Sequence, residues 1–430
     1  MPIVDDSRRI DDLRIVLETT RALQVEKDID ALLNLLLAAA TRVVGADRSS
    51  LFLVDHATAE LYSKIAEGEE GEEIRFPMGA GIAGSVANTR EVINIENAYD
   101  DSRFNPEIDK KTGYRTHTIL CVPLVTHEDK VVGVIQCLNK VGGTFDGYDI
   151  EILEALSIQA AVAIDNHQLA AHYLDKQKIQ ASLGIAREIQ AHLLPGKTPN
   201  LSGYDVGASC VACDETGGDY FDFFTEDPDR LGVVVGDVSG HGVGSAIVMA
   251  TARASLRALR STLTDVEQVV KRLNNLLVDD LHHGRFMTLF HGSLDYSEGI
   301  FRYVSAGHDA PIHYHHAKNE FSSLDSTGLP LGWVSEDDGY RLDVEEISFG
   351  EGDILVLMTD GIWEAVNEDK EAFGKERMCD IILRMKDRSA QEIVDQLFEE
   401  MESFCGQQMR QDDVTVLVVR RFVADESSKP

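Results

Sequence analysis

No proline interrupts the chain between Pro123 and Pro195, and from Tyr148 to Leu194 most positions are good helix formers, with Gly184 the only interior break. Leu183, Ala186, Ile189 and Leu193 keep one apolar stripe on this helix, while Lys176, Gln177, Lys178 and Gln180 stay polar. A helix of this length cannot bury such a stripe alone. Packing on its own domain would cover it; a two-stranded coiled coil with a second copy is the more natural partner. Pro195-Gly196-Lys197-Thr198-Pro199-Asn200 then ends the helix and opens a new domain. The 430 residues are in any case too many for one typical core.

Before the helix lies a strand–helix mixture. Ile10, Leu13 and Leu17, then Ile29, Leu32, Leu33, Leu36, Leu37 and Ala40, recur at helical steps and predict helix over 7–44. Residues 48–55 read as a strand, 67–73 as acidic turns, and 79–86 as a glycine-lined helix start. Residues 118–125 and 130–138 read as paired strands joined by a polar turn. After the helix the pattern is strand-rich, with internal helices near 245–261 and 266–281, a late helix at 391–404 and a last strand at 414–419. Both halves are therefore α+β.

Four aspartates in the second half each stand at the end of an apolar run or in a glycine turn. They are Asp219 in Gly217-Gly218-Asp219-Tyr220, Asp237 after Val233-Val234-Val235-Gly236, Asp360 after Leu355-Val356-Leu357-Met358-Thr359, and Asp412 in Gln411-Asp412-Asp413-Val414. Such a pattern sets a carboxylate just past a buried strand. A single Asp-Gly is usually only a turn; four together, three of them beside apolar strands, are not explained that way. If they converge, their repulsion must be cancelled, and divalent cations are the usual means. An all-oxygen donor set favours Mg²⁺ or Mn²⁺ over zinc. Asp237 is the natural bridging ligand, and the glycine-rich run 236–244 lets the Val238 carbonyl approach as well. Asp360 and Asp412 would complete one metal, and Asp219 the other. Two cations sharing a water lower its pKa toward neutrality, which makes this half a candidate two-metal hydrolase.

A net charge of −34 argues against nucleic acid and anionic membranes as partners. An acidic N-terminus without a long apolar stretch predicts no signal peptide, and no apolar run reaches membrane-spanning length, so a cytoplasmic protein is expected. The six cysteines are scattered. Cys210 and Cys213 form the one C-x-x-C pair, with no second Cys or His pair at zinc spacing beside it, so buried reduced thiols are expected rather than zinc.

The stretches Asp214-Glu215-Thr216-Gly217-Gly218-Asp219-Tyr220-Phe221-Asp222, Gly236-Asp237-Val238-Ser239-Gly240-His241-Gly242, Ser305-Ala306-Gly307-His308, Thr359-Asp360-Gly361 and Asp412-Asp413-Val414-Thr415 resemble the metal-dependent PPM (PP2C-like) protein phosphatases. The nearest branch is the bacterial one acting on regulators of alternative sigma factors, and the helix end 184–195 looks like the entry to that domain. This resemblance covers residues 183–419. It implies an αββα sandwich, two Mn²⁺ or Mg²⁺ ions, and phosphoserine or phosphothreonine on a protein such as an anti-sigma-factor antagonist. Eukaryotic members carry a histidine two residues after the bridging aspartate. Here Ser239 stands there and His241 lies two further on, where it either protonates the leaving oxygen or merely lines the loop. The phosphate-binding arginine of eukaryotic members has no counterpart, so the metals would do most of the phosphate binding.

In the first half, residues 92–99, Arg103-Phe104-Asn105, 118–124 and 132–140 resemble a GAF domain over 29–168. This implies an antiparallel sheet with flanking helices around a small-ligand pocket. Asn139, Lys140, Phe145 and Asp149 fit the N-K-x(n)-F-x3-D-E pattern of cyclic-nucleotide-binding GAF domains, except that Ile150 replaces the final Glu. The resemblance makes Lys140–Asp149 a structural salt bridge and cAMP or cGMP a candidate ligand. Thr116, His117 and Thr118 offer polar groups that either face a pocket or face solvent.

The expected organisation is an N-terminal helix (1–28), a GAF sensor (29–168), a helical linker (169–195), a phosphatase domain (196–422) and a disordered tail (423–430). The expected function is a metal-dependent signalling phosphatase, acting on a phosphoprotein under control of a small effector and dimeric through its linker. Its rivals are a ligand-binding pseudo-phosphatase and a phosphohydrolase of small molecules.

Overall fold

The computed structural model describes residues 6–66, 74–225, 229–261, 263, 265–281, 284–335, 337–406, 408 and 410–423. The acidic turns expected at 67–73, and the expected tail from 424 onward, lie outside the described residues. The chain divides into two compact units, Met1–Lys178 and Ile179–Pro430.

In the first unit the helix expected over 7–44 is two helices, Asp6–Val25 and Ile29–Val44. The break has a local cause. The Glu26 carboxylate accepts from the backbone N–H of Lys27 and Asp28, and Asp28 caps the second helix by accepting from Ala31 N at 2.8 Å. A cap of this kind is worth about 1 kcal/mol. Six antiparallel strands follow, in the order Ile74–Pro77, Glu60–Ala66, Ala46–Asp55, Val131–Lys140, Ile119–Val125, Ile93–Ile95. The two-residue period of a strand sorts the side chains. Leu51 and Leu53 join a core with Leu36 and Val43 of one helix and with Leu153 and Leu156 of the helix Gly147–Leu193. Phe52 and Val54 face the other way, onto Ile82 and Val86 of the helix Gly81–Thr89.

The helix Gly147–Leu193 runs 47 residues, and its buried positions end at Ile164. Beyond that point Leu169, Tyr173, Ile179, Ile185 and Ile189 are exposed.

The second unit stacks two five-stranded antiparallel sheets. One runs Glu345–Ser348, Ile300–Ala306, Met287–Asp295, Arg230–Val238, Tyr220–Phe224; the other runs Glu320–Ser323, Ile312–His315, Ile354–Met358, Val414–Arg421, Tyr204–Val211. Alternate residues again face opposite layers. Val233 and Val235 meet Leu355 and Leu357 between the sheets, while Val234 and Val238 pack under the helices Val243–Arg260 and Val266–Asp280. Ile354, Val356 and Met358 pack under Gly374–Met385 and Ala390–Cys405. This is the αββα sandwich.

Candidate functional site

Strand register brings the four aspartates to one end of the sandwich. Tyr220 pairs with Gly236, which sets Asp219 beside Asp237. Met358 pairs with Val416 in the other sheet, so Asp360 just after one strand meets Asp412 just before its neighbour. Asp219 then stitches the two sheets together: its Oδ2 accepts from Thr359 Oγ1 at 2.8 Å and from Thr415 Oγ1 at 2.6 Å. The Val238 carbonyl faces the same turn, since a Cβ built on Gly218 would lie 2.7 Å from its oxygen.

The adjacent aspartates 412 and 413 do different work. Asp413 is buried and accepts from Cys213 N at 2.8 Å and from Gly218 N at 2.6 Å, which holds the turn that carries Asp219. Asp412 is exposed at the mouth.

The electrostatics register the crowding. Burial, and then the neighbouring Asp237, pushes Asp219 well above the ordinary carboxylate range. Burial, followed by repulsion from Asp360, Asp412, Asp413 and Asp309, lifts Asp237 to about 7. Burial, with Asp412, Asp309 and Glu364 behind it, lifts Asp360 to about 6. Among the described residues no lysine or arginine forms an ion pair with any of the four; the neighbouring Lys375 pairs with Asp309, at 3.7 Å. A cation from outside the chain would offset this much negative charge. Cys213 lies close to Asp412 and Asp413, but burial holds its thiol up at about 12, so it stays a neutral, poor ligand. The remaining donors are hard oxygens, which fit Mg²⁺ or Mn²⁺.

Asp309 escaped the sequence reading. It follows Gly307, whose φ of 64° turns the chain at the end of the strand Ile300–Ala306, the same signature that marks the other four. Two further groups flank the site. His241 is exposed, and its Nδ1 lies 2.6 Å from Asp214 Oδ2. The Arg285 guanidinium lies against Gly244, at the start of the helix Val243–Arg260. His308 is buried against Thr288 Oγ1 at 2.8 Å and is part of the scaffold.

The first unit holds a cavity of about 370 Å³. Phe52, Phe76 and Phe104 give it apolar walls, and Arg48, Arg75 and Arg103 give it charge. Arg103 is paired with Asp101 at 2.6 Å and Arg75 with Asp55 at 3.3 Å. Arg48 stacks on Tyr114 and, among the described residues, has no carboxylate partner. Of the three polar candidates only Thr116 lines this cavity, donating from Oγ1 to Asp109 at 2.8 Å. Thr118 is turned to the backbone N–H of Lys140, and His117 is exposed. The Asn139 side chain ties down 115–118 by accepting from His117 N and donating to Arg115 O. Lys140 Nζ meets the buried Asp149 at 2.7 Å, and Phe145 is buried beside them.

Family profiles match both units. The profile described as Stage II sporulation protein E (SpoIIE) matches residues 227–422, and that of the GAF domain matches 28–164. The chain carries a GAF domain followed by a PP2C-like phosphatase domain. It is thereby a phosphoprotein phosphatase by class. Phosphoserine phosphatase RsbU of Bacillus subtilis (strain 168) is 29% identical over 283 residues, covering 64% of this chain and 80% of its own length. The probable 3',5'-cyclic phosphodiesterase pde-5 of Caenorhabditis elegans is 38% identical over 176 residues, but those cover only 24% of that relative and 38% of this chain. The SiaA-PP2C domain of Pseudomonas aeruginosa matches with a TM-score of 0.50 at 20% identity, covering 58% of this chain and 99% of that domain, a likeness of fold. Among the described residues no helix is long and apolar enough to cross a membrane.

Proposed function

We propose that this protein is a bacterial, cytoplasmic signalling phosphatase that hydrolyses phosphoserine or phosphothreonine on a regulatory protein, such as an anti-sigma-factor antagonist, under control of a small ligand in the GAF domain. One observation carries the reading: five acidic side chains crowd one end of the sandwich, and among the described residues only Lys375 forms an ion pair with any of them, at 3.7 Å to Asp309. Similarity to RsbU supports the choice of a phosphoprotein substrate. Asp237 would bridge two Mn²⁺ or Mg²⁺ ions, Asp360 and Asp412 would hold one, and Asp219 with the Val238 carbonyl the other. When bound, the ions supply a hydroxide nucleophile at neutral pH. Thr359 and Thr415 keep Asp219 aimed. His241, oriented by Asp214, is the candidate to hand a proton to the leaving oxygen.

The deciding assay is hydrolysis of a phosphoserine peptide with Mn²⁺ by the wild type, Asp360→Asn and His241→Gln, each with and without cAMP or cGMP. Turnover should fall about 10³-fold in Asp360→Asn, as for loss of a preorganised electrostatic group, and about 10²-fold in His241→Gln, as for loss of a general acid. Equal rates in the wild type and Asp360→Asn would sink the metal assignment. A phosphatase-dead wild type, with or without nucleotide, would leave a ligand-binding scaffold.

The effector reading rests on the cavity. Three phenylalanine rings, together with an Arg48 guanidinium that lacks a carboxylate partner among the described residues, suit a flat anionic ligand, which cAMP and cGMP both are. The exposed apolar residues of the helix Gly147–Leu193 suit pairing with a second copy. Coupling requires the ligand to prefer one arrangement of that helix pair over another. Replacing Leu183 and Ile189 together by Asp should give monomers by light scattering, with a basal rate that no longer responds to nucleotide. Intact regulation in that double variant would rule out the linker.

A further inference from the structure

A second cluster of metal-ligating side chains lies at the other end of the strand that leads to Asp360. His313 and His315 alternate on the strand Ile312–His315, and Asp353 immediately precedes the strand Ile354–Met358. Ile312 and Tyr314 point to the helix layer, so both histidines point the other way, where His313 stacks on Phe349 at 5.5 Å. One ligand atom from each of His313, His315 and Asp353 falls within 4.8 Å of the others. The five-residue strand between this cluster and Asp360 spans about 17 Å, so the two sites are separate.

We propose that His313, His315 and Asp353 bind a zinc-class divalent ion. The separation of His313 Nε2 and Asp353 Oδ2 is 3.2 Å, close to the edge of about 3.3 Å in a tetrahedron with zinc bonds of about 2.0–2.1 Å. The ligands are already oriented from behind. Asp353 accepts from Gly350 N and His316 N, both at 2.8 Å. His315 Nε2 meets Ser322 Oγ at 2.8 Å, which leaves its other nitrogen to ligate. Backing of this kind fixes tautomer and ring angle in metal sites.

His313 is fully buried, and Nε2 is the ring nitrogen that faces Asp353, so Nε2 is its ligand atom. Two imidazoles and one carboxylate select zinc over the Mg²⁺ or Mn²⁺ suited to the aspartates, and the half-exposed side of His315 leaves a fourth position for water. The sequence signal is faint: H-x-H is strand-spaced, and its third ligand follows His313 by forty residues.

Co²⁺ titration of the full-length protein tests this, because tetrahedral nitrogen-containing sites give intense visible absorption and octahedral oxygen sites give weak bands. The first equivalent of Co²⁺ should produce intense bands in the wild type and in Asp360→Asn. His315→Gln, at the more exposed ligand and so the safer variant for folding, should lose them and bind Co²⁺ at least ~10-fold more weakly at that site. Zn²⁺ should displace the signal. Bands that persist in His315→Gln, that vanish in Asp360→Asn, or that never appear in the wild type overturn the proposal.

Discussion

Asp237→Asn should abolish Mn²⁺-dependent hydrolysis, by about 10³-fold or more, and at the same time raise the melting temperature of the metal-free protein. Both effects share one cause. Asp237 is lifted to about 7 by burial and by Asp360, Asp412, Asp413 and Asp309, so its charged form is disfavoured by the fold until a cation arrives. The sign follows from linkage. A carboxyl whose folded pKa is raised contributes stability that is complete below its ordinary value near 4 and is lost as pH climbs through about 7. A shift of this size corresponds to roughly 2–4 kcal/mol once coupling to the other acids is discounted. In a domain of this size that is roughly 5–10 °C in Tm. With EDTA present, wild-type Tm should therefore fall between pH 5 and pH 8, with Asp360, lifted to about 6, adding to the decline. Asp237→Asn should show a flatter profile and melt above wild type at pH 8. Saturating Mn²⁺ should reverse the order, since a ligand at about 1,000 times its Kd stabilises by about 4.1 kcal/mol. A variant melting below wild type at pH 8 in EDTA would mean that the carboxylates do not repel as placed.

Much of this site was legible because strand ends are legible. Runs such as Val233-Val234-Val235 must be buried, and the polar residue after them must lie at a sandwich rim, whatever the topology. Register was not legible. That Tyr220 faces Gly236 and Met358 faces Val416 depends on pairings between distant segments, and those pairings bring the rim residues to one pole. Asp413 shows the limit well. It neighbours Asp412, yet one points outward and the other braces the Asp219 turn through the backbone N–H of Cys213 and Gly218. They part in the bend just before the strand Val414–Arg421, and composition says nothing of it. Asp309 was less legible for a different reason: it stands three residues past its strand, behind Gly307 and the buried His308, rather than directly after an apolar run. In the GAF domain the motif residues Lys140 and Asp149 pair at 2.7 Å, while the cavity walls come from six segments whose convergence no local pattern announces. The helix break at 26–28 was readable in principle, since Asp28 is an ordinary N-cap; helical periodicity on both sides masked it.

Gly361→Ala should cripple the enzyme without touching a charged group. Gly361 follows Asp360 in the short helix Asp360–Trp363, and a Cβ there would overlap the Asp413 carbonyl oxygen. The neighbour is backbone, so no side-chain rotation relieves the clash; the 360–361 turn and the 412–414 segment must part. Overpacking of this kind costs about 1–3 kcal/mol. The functional cost should be larger, because Asp360 and Asp412 sit on opposite sides of that contact, and a displacement of about 1 Å between groups sharing a reaction centre loses about 10²-fold in rate. Gly184→Ala is the matched control. Gly184 lies in the helix Gly147–Leu193 with nothing within 4 Å of an added Cβ, so it should gain about 0.5–1 kcal/mol of helix stability and keep wild-type turnover. Measuring Tm and Mn²⁺-dependent turnover for both separates the close approach from the mere loss of a glycine. If Gly361→Ala retained wild-type turnover and its apparent Mn²⁺ affinity, the two carboxylates would not depend on this backbone contact for their convergence.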